Sequence, residues 1–297
     1  MWTKILLKPK PPYRITPHLE RYTLPDKPTP STFSNGVLRR ALLVDGTLVP
    51  TEVRILSENC DPLIEVIIYS DDRTLVKKTV DKLSWMLSID YDFSKLLKIV
   101  REDVKLYRLT KKFKGLRPCR APTLFEALVK SIIEQQINLR IALRIIGELV
   151  EAYGFKAYVG KKPFYEFPTP ERIASSHPIK LRRLGMSLRK AETIIAVAEK
   201  AVMGELPSLK EVNENPEKAI NELTSVKGIG LWTAELAIAK VHQSFSIGPA
   251  GDLAVKRGLS KLYGLPPDEK AVREKLSKYR ELSGILMYLM VMEYVSK

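Results

Sequence analysis

Apolar and polar positions alternate at strand spacing through the first third of the chain and change to a helical period after about residue 92. From Gly36 the run VLRRALLVDGTLVPTEVRIL carries apolar side chains on both sides of Asp45-Gly46, a dipeptide suited to a two-residue hairpin turn. Residues Leu63 to Tyr69 repeat the strand pattern. In the next segment, TLVKKTVDKLSWMLSI, the residues Leu75, Val76, Val80, Leu83 and Leu87 share one helical stripe. Together these predict a small antiparallel sheet with a helix across one face. Residues 1–36 are rich in proline, as KPKPPYRITP and LPDKPTPSTF, and each proline steers its predecessor away from helix. Strand and loop are expected there.

Beyond Asp92 nearly every segment is helical in period, and its breaks are helix punctuation. Pro122-Thr123 precedes LFEALVKSIIEQQI, Pro168-Thr169-Pro170 precedes ERIASSH, and Ser187 precedes LRKAETIIAVAEKAVMGEL, with Thr169 and Ser187 suited to N-caps. About eight to ten helices are expected. The chain reads as α+β: an N-terminal antiparallel sheet domain with a helix over residues 1–110, then a mostly α-helical domain over 111–297. Its 297 residues suit two domains of ordinary size.

Charge sharpens this picture. The net formal charge is +15, and residues 1–110 hold 18 Lys and Arg against 14 Asp and Glu, leaving 31 against 20 in the helical part. A basic surface of that kind suits a polyanion. Cys60 and Cys119 are too few and too far apart for a disulfide framework or a cysteine-rich metal site. His18, His177 and His242 are scattered without ligand spacing, so no metal centre is expected from them. The absence of a long apolar run argues against a membrane protein, and the N-terminus has no signal pattern. A soluble, cytoplasmic protein is expected. Three Gln and six Asn beside abundant Lys, Arg and Glu form the bias of thermophile proteins.

Residues 223 to 257, LTSVKGIGLWTAELAIAKVHQSFSIGPAGDLAVKR, hold the candidate chemistry. A helix breaks at Gly228-Ile229-Gly230, a second starts at Leu231, and Gly251-Asp252 opens a third. The glycines permit a tight turn between helices and bare the first amides of the following helix, a suitable cradle for a phosphate, with Lys227 beside it. Gly-x-Gly between helices also serves as a plain αα-turn. Asp252 suits two roles, as N-cap of LAVKRGLSKLY or as a carboxylate facing a reacting group. Trp232 reads as a core aromatic or as a pocket wall. A second turn, Leu184-Gly185-Met186-Ser187, is flanked by Arg182, Arg183, Arg189 and Lys190, plausible phosphate contacts on an otherwise solvated face.

The hairpin, the Gly/Pro-rich loop and Asp252 together resemble the signature of the helix-hairpin-helix DNA glycosylases. KPPYRITP, SIIEQQI, KGIGLWTAE and the stretch FPTPERIASSHPIKLRRLGMSLRKAETIIAVAEKAVMGELP are similar to the 3-methyladenine DNA glycosylase II family within them. The resemblance implies a pocket between two helical subdomains, with Asp252 as the catalytic carboxylate and Trp232, Tyr22 and Leu236 around an extruded base. It implies Gln136, or less readily Gln135, as the side chain that fills the gap in the stack. Lys227, Gly228, Ile229, Gly230, Gly185 and Ser187 would hold the backbone of double-stranded DNA, and the carbonyls of Val226 and Gly228 a monovalent Na⁺ or K⁺. No cofactor is required, and the clustered cysteines of iron-sulfur members are missing. Bifunctional members carry a lysine where this chain has Trp232, so the resemblance implies a monofunctional enzyme without lyase activity that releases alkylated bases, chiefly 3-methyladenine. Two alternatives stand beside it: an 8-oxoguanine-type glycosylase/lyase, and a non-enzymatic binder of damaged DNA. A monomer associated with the nucleoid is expected. Leu236 and the aliphatic MYLMVMEYVSK depart from the family, whose pockets have further aromatics.

Overall fold

The computed structural model describes residues 1–296. Five strands, β1 Thr3–Leu7, β2 Thr32–Ser34, β3 Val37–Val44, β4 Thr47–Ser57 and β5 Leu63–Ile68, form an antiparallel sheet in the order β1-β5-β4-β3-β2. Asp45 and Gly46 join β3 to β4 with φ of 47° and 78°, and Val44 pairs with Thr47 across them. Both central residues are left-handed, the turn whose twist matches that of the strands. The predicted helix is α2, Arg73–Met86, and it buries Leu83 and, just beyond its end, Leu87 against Leu42, Val53, Ile64 and Val66 of the sheet.

The proline-rich segment is not all extended. Thr16–Tyr22 forms a helix, α1, with Pro17 in its first turn, where a missing N–H costs nothing. The Glu58 carboxylate accepts from the amides of Ile15 (2.7 Å) and Thr16 (2.9 Å), anchoring the helix start on the end of β4. The proline pattern concealed this helix because it marks helix starts as well as loops.

The remainder is helical: α3 Ser94–Ile99, α4 Val104–Lys112, α5 Leu124–Glu134, α6 Leu139–Tyr153, α7 Pro170–Ala174, α8 Pro178–Arg182, α9 Leu188–Val202, α10 Leu209–Glu214, α11 Pro216–Thr224, α12 Leu231–Ala239, α13 Leu253–Tyr263, α14 Glu269–Leu276 and α15 Ser283–Val295. Among the described residues these exceed the expected eight to ten, because runs read as single helices divide into pieces of five or six residues. A short hairpin interrupts them, β6 Phe155–Val159 and β7 Lys162–Glu166, which turns at Gly160 and lies on β3 and β4. Its half-exposed, lysine-rich strands gave no clean alternation.

Three cores result. One belongs to the sheet with α1 and α2. A second joins α5, α6, α9 and α12 through residues such as Leu128, Ile146, Ile194 and Ala237. The third joins Leu96 and Leu106 of α3 and α4 to Val255, Leu259 and Ile285 of α13 and α15. The expected boundary at residue 110 therefore falls inside α4, a helix that packs with the C-terminal helices.

A buried ion cluster ties sheet to helices. Arg40 of β3 donates to Glu126 of α5 (2.7 Å) and also reaches Glu166 of β7, and Lys130 pairs with Glu126 at 2.6 Å. Burial by itself would raise the Glu126 carboxyl, but the charges of Arg40 and Lys130 and their hydrogen bonds hold it below the ordinary carboxylate range. A depressed carboxyl contributes stability above its unfolded titration and loses it as pH falls, so this cluster weakens below about pH 4. Arg40→Leu leaves the buried Glu166 without a cation and Glu126 with Lys130 alone, and is expected to cost about 3–5 kcal/mol in urea unfolding at pH 7. A loss under about 1 kcal/mol would show that the cluster is not what joins the two layers.

Candidate active site

The hairpin follows from two glycines that act differently. Gly228 has φ of 95°, and a Cβ there would lie 2.1 Å from Thr193 Oγ1 on α9, so conformation and packing both exclude a side chain. Gly230 has an extended φ of −89°, and a Cβ there would meet nothing within 4 Å. It caps α12 without any side-chain acceptor, which leaves the amides at the start of the helix open to an external anion. Val226 and Ile229 plug the core beneath the turn, whereas Lys227 and Gly230 are exposed. The second turn repeats the pattern: Gly185 has φ of 103°, and Ser187 caps α9 by accepting from the Lys190 amide at 3.3 Å.

The two carboxylate oxygens of Asp252 have different partners. One oxygen, Oδ1, accepts from the amides of Ala254 (2.8 Å) and Val255 (3.3 Å) and so caps α13. The other, Oδ2, accepts from the Trp232 indole N–H at 3.1 Å. Since α12 belongs to the second core and α13 to the third, this bond lies where the two helical cores meet. Both side chains remain half-buried.

Along α12, Trp232, Leu236 and Lys240 recur at helical spacing, and each keeps some accessible surface while Thr233, Ala234, Glu235, Ala237 and Ile238 are buried. This stripe is the accessible face of α12. From α1, Tyr22 stacks on His18 with ring centroids 4.5 Å apart, and His18 Nδ1 lies 3.1 Å from the hydroxyl of Tyr288 on α15. Burial raises the Tyr22 phenol, Arg21 opposes this, and the charges of Glu134 and Asp252 add to the rise, so both carboxylates bear on that ring. Burial, then the cations Arg21, Lys130 and Lys240, push His18 down to about 3, which leaves a neutral imidazole. Lys240 is lowered by burial against the pull of Glu134, its partner at 2.7 Å.

Trp232 is thus bonded to Asp252, the Asp252 charge reaches Tyr22, and Leu236 follows Trp232 on the accessible face of α12; together they outline the candidate cleft. His18, Glu134, Lys240 and Tyr288 join them and were missed in the sequence. His18 and Tyr22 are four residues apart, a spacing that places them on one face once α1 is recognised as a helix. Tyr288 is the aromatic that the C-terminal run was expected to lack. The two glutamines separate: Gln136 is exposed with a left-handed φ of 53°, whereas Gln135 turns inward and its amide donates to Gly228 O (3.1 Å) and Thr233 Oγ1 (2.9 Å). An amide so engaged is not free to enter a base stack, so of the pair only Gln136 remains as a wedge candidate. The carbonyls of Val226 and Gly228 are also engaged, by the Ile229 amide and by Gln135. Each of these oxygens keeps a second lone pair. Among the described residues no group of three His, Cys, Asp or Glu is placed to hold a metal, and no helix is long and apolar enough to cross a membrane. Two surface depressions of about 370 and 390 Å³, beside Trp85 and beside Pro25, do not include Asp252. The cleft is defined by its converging titratable and aromatic groups rather than by volume.

This architecture has a family. Residues 129–281 match the model of the HhH-GPD superfamily base excision DNA repair proteins, and the chain belongs to that superfamily. It is similar to a solved 3-methyladenine DNA-glycosylase from Archaeoglobus fulgidus, with 31% identity, a TM-score of 0.85, and coverage of 98% of this chain and 99% of that one. It is 33% identical over 167 residues to a DNA-3-methyladenine glycosylase of Bacillus subtilis, covering 56% of this chain and 55% of the relative. DNA-3-methyladenine glycosylase 2 of Escherichia coli is 31% identical over 148 residues, 48% of this chain and 50% of the relative. The chain spans about half the length of these last two relatives.

The two hairpin glycines give a paired prediction. Gly228→Ala is expected to destabilise the protein by about 1–3 kcal/mol through the clash with Thr193. Gly230→Ala should leave thermal stability within a degree or two and weaken binding to undamaged duplex, by placing a methyl group where a phosphate approaches. Equal melting temperatures and equal DNA affinities for the two variants would refute this division of roles.

Proposed function

We propose that the protein is a monofunctional DNA glycosylase of base excision repair that hydrolyses the N-glycosidic bond of alkylated bases, chiefly 3-methyladenine, extruded from duplex DNA. One observation carries the reading: a half-buried carboxylate, fixed at one oxygen by two helix amides and at the other by the Trp232 indole, beside a hairpin whose amides are open to an anion. The similarity to the Archaeoglobus fulgidus glycosylase over nearly the whole of both chains supports the substrate class.

The chemistry follows from the carboxylate. As the bond from C1′ to the base nitrogen breaks, its electron pair leaves with the base and positive charge grows on the deoxyribose. An anionic Asp252 stabilises that charge. Water adds at C1′, and its proton passes to Asp252 and then to solvent. The two amides and the indole hold the carboxylate in place, so little reorganisation is needed as charge develops. An N-alkylated purine leaves as a neutral base, which lowers the demand for acid catalysis. The Tyr22 and Trp232 rings offer π faces to a cationic base. Lys227 and the amides of α12 hold a phosphate without reading sequence, and Gln136 fills the vacated stack. No step requires a metal ion.

The side chain at position 232 is an indole and forms no Schiff base, while Lys240 is engaged by Glu134. A strand nick coupled to base release is therefore not expected. The protein should release methylated base from alkylated duplex DNA, and Asp252→Asn should lower that rate by at least about 100-fold while affinity for an abasic-site analogue persists. Borohydride should trap no enzyme–DNA adduct. Base release by Asp252→Asn at the parent rate refutes the catalytic assignment, and a trapped adduct refutes the monofunctional one.

A further inference from the structure

The loop that carries Gln136 is braced from two sides by groups the proposed mechanism does not use. Helix α5 ends at Glu134, and Asn138 already caps α6, its side chain accepting from the Arg140 amide at 2.8 Å. Only Gln135, Gln136 and Ile137 lie between. Within this short connection Gln136 is left-handed, a conformation costing a residue other than glycine roughly 1–2 kcal/mol. Such strain persists only where the surroundings over-determine it.

Two side chains supply the restraint. Lys190 of α9, expected from the sequence as a phosphate contact, instead turns its ammonium inward to the carbonyls of Ile133 (2.9 Å) and Gln135 (2.6 Å), closing the end of α5. Burial lowers its pKa, and among the described residues it has no carboxylate partner, so its charge is spent on those two oxygens. From the other side Gln135 reaches Gly228 O and Thr233 Oγ1 in the hairpin. The brace closes on itself, because Thr193, one turn after Lys190 on the same helix, is the residue against which Gly228 packs. Helix α9, the end of α5 and the hairpin turn are therefore linked in a triangle with Gln136 projecting from one edge.

We propose that Gln135 and Lys190 are positioning residues that fix Gln136 in its outward, left-handed conformation and tie it rigidly to the phosphate-facing hairpin, so that the wedge is set before DNA arrives. This rests on the reading of the protein as a base-extruding glycosylase with Gln136 as wedge. A rigid link means that docking the hairpin on the backbone also sets the depth at which Gln136 enters the stack. Loss of the brace lets the loop relax, and the cost falls on base extrusion rather than on bond cleavage or backbone binding.

The test uses single-turnover base release from duplexes bearing one 7-methylguanine, either paired with cytosine or opposite an abasic site where extrusion is easy. Gln135→Leu and Lys190→Met are expected to slow release from the paired substrate by about 10–100-fold and from the unpaired one by less than about 3-fold, with unchanged affinity for undamaged duplex. Lys190→Arg, which keeps the donors, restores the paired rate. Adding Gln136→Ala to Gln135→Leu produces little further loss, because both act through one element. Equal slowing on both substrates, full additivity with Gln136→Ala, or no slowing at all overturns the proposal. If Gln135→Leu fails to fold, the Lys190→Met and Lys190→Arg comparison decides it; if Lys190→Met fails, Gln135→Leu with and without Gln136→Ala decides it. A parent protein that releases no base from either duplex refutes the glycosylase reading itself.

Discussion

The hydrogen bond from the Trp232 indole to Asp252 Oδ2 links the two helical cores through a carboxylate that is both oriented and accessible. An aspartate at a helix start ordinarily spends itself on the helix amides, and Oδ1 does so here. The indole prevents the second oxygen from following. It holds Oδ2 at the meeting of α12 and α13, with the aromatic groups of α1 and α15 across the cleft. The architecture serves this arrangement: α12 is anchored by the alanines and isoleucine it buries, and α13 by Val255 and Leu259 against α15.

Electrostatics give the cleft its character. Asp252 and Glu134 bring negative charge, Lys240 compensates Glu134 at 2.7 Å, and His18 is held neutral by burial and the surrounding cations. Asp252 forms no ion pair among the described residues, and its Oδ2 is held by the Trp232 indole alone. A positive charge developing beside it is stabilised more than one developing deeper in the cleft. Outside, the basic excess of the helical part favours a polyanion, while sheet and helices are held together by the buried cluster at Arg40.

The sequence made some of this legible and hid the rest for physical reasons. The Asp45-Gly46 hairpin, the α2 stripe and the Ser187 cap are local features, and they form as their residues dictate. The Gly-Ile-Gly turn was equally plain, although only coordinates separate Gly228, which packs on Thr193, from Gly230, which faces open space. Asp252 left two roles open, and the structure gives it the cap and a second, cleft-side bond together. Proline obscured α1, and with it the pairing of His18 with Tyr22. Tyr288, Lys240 and Glu134 come from distant segments and meet only in the fold. Gln135 and Gln136 are neighbours of one chemical type, and a single left-handed φ sends one outward and the other into the hairpin.

A crystal structure of the protein on a duplex carrying a pyrrolidine abasic analogue, whose ring cation mimics the charge that grows at C1′, tests the role of Asp252 most directly. The expected result is an extruded ring with Oδ2 within roughly 3.5 Å of it, the Trp232 bond retained, and Gln136 in the emptied stack. An analogue that stays within the duplex, or that enters the cleft with the Asp252 carboxylate turned away from it, would contradict the assignment.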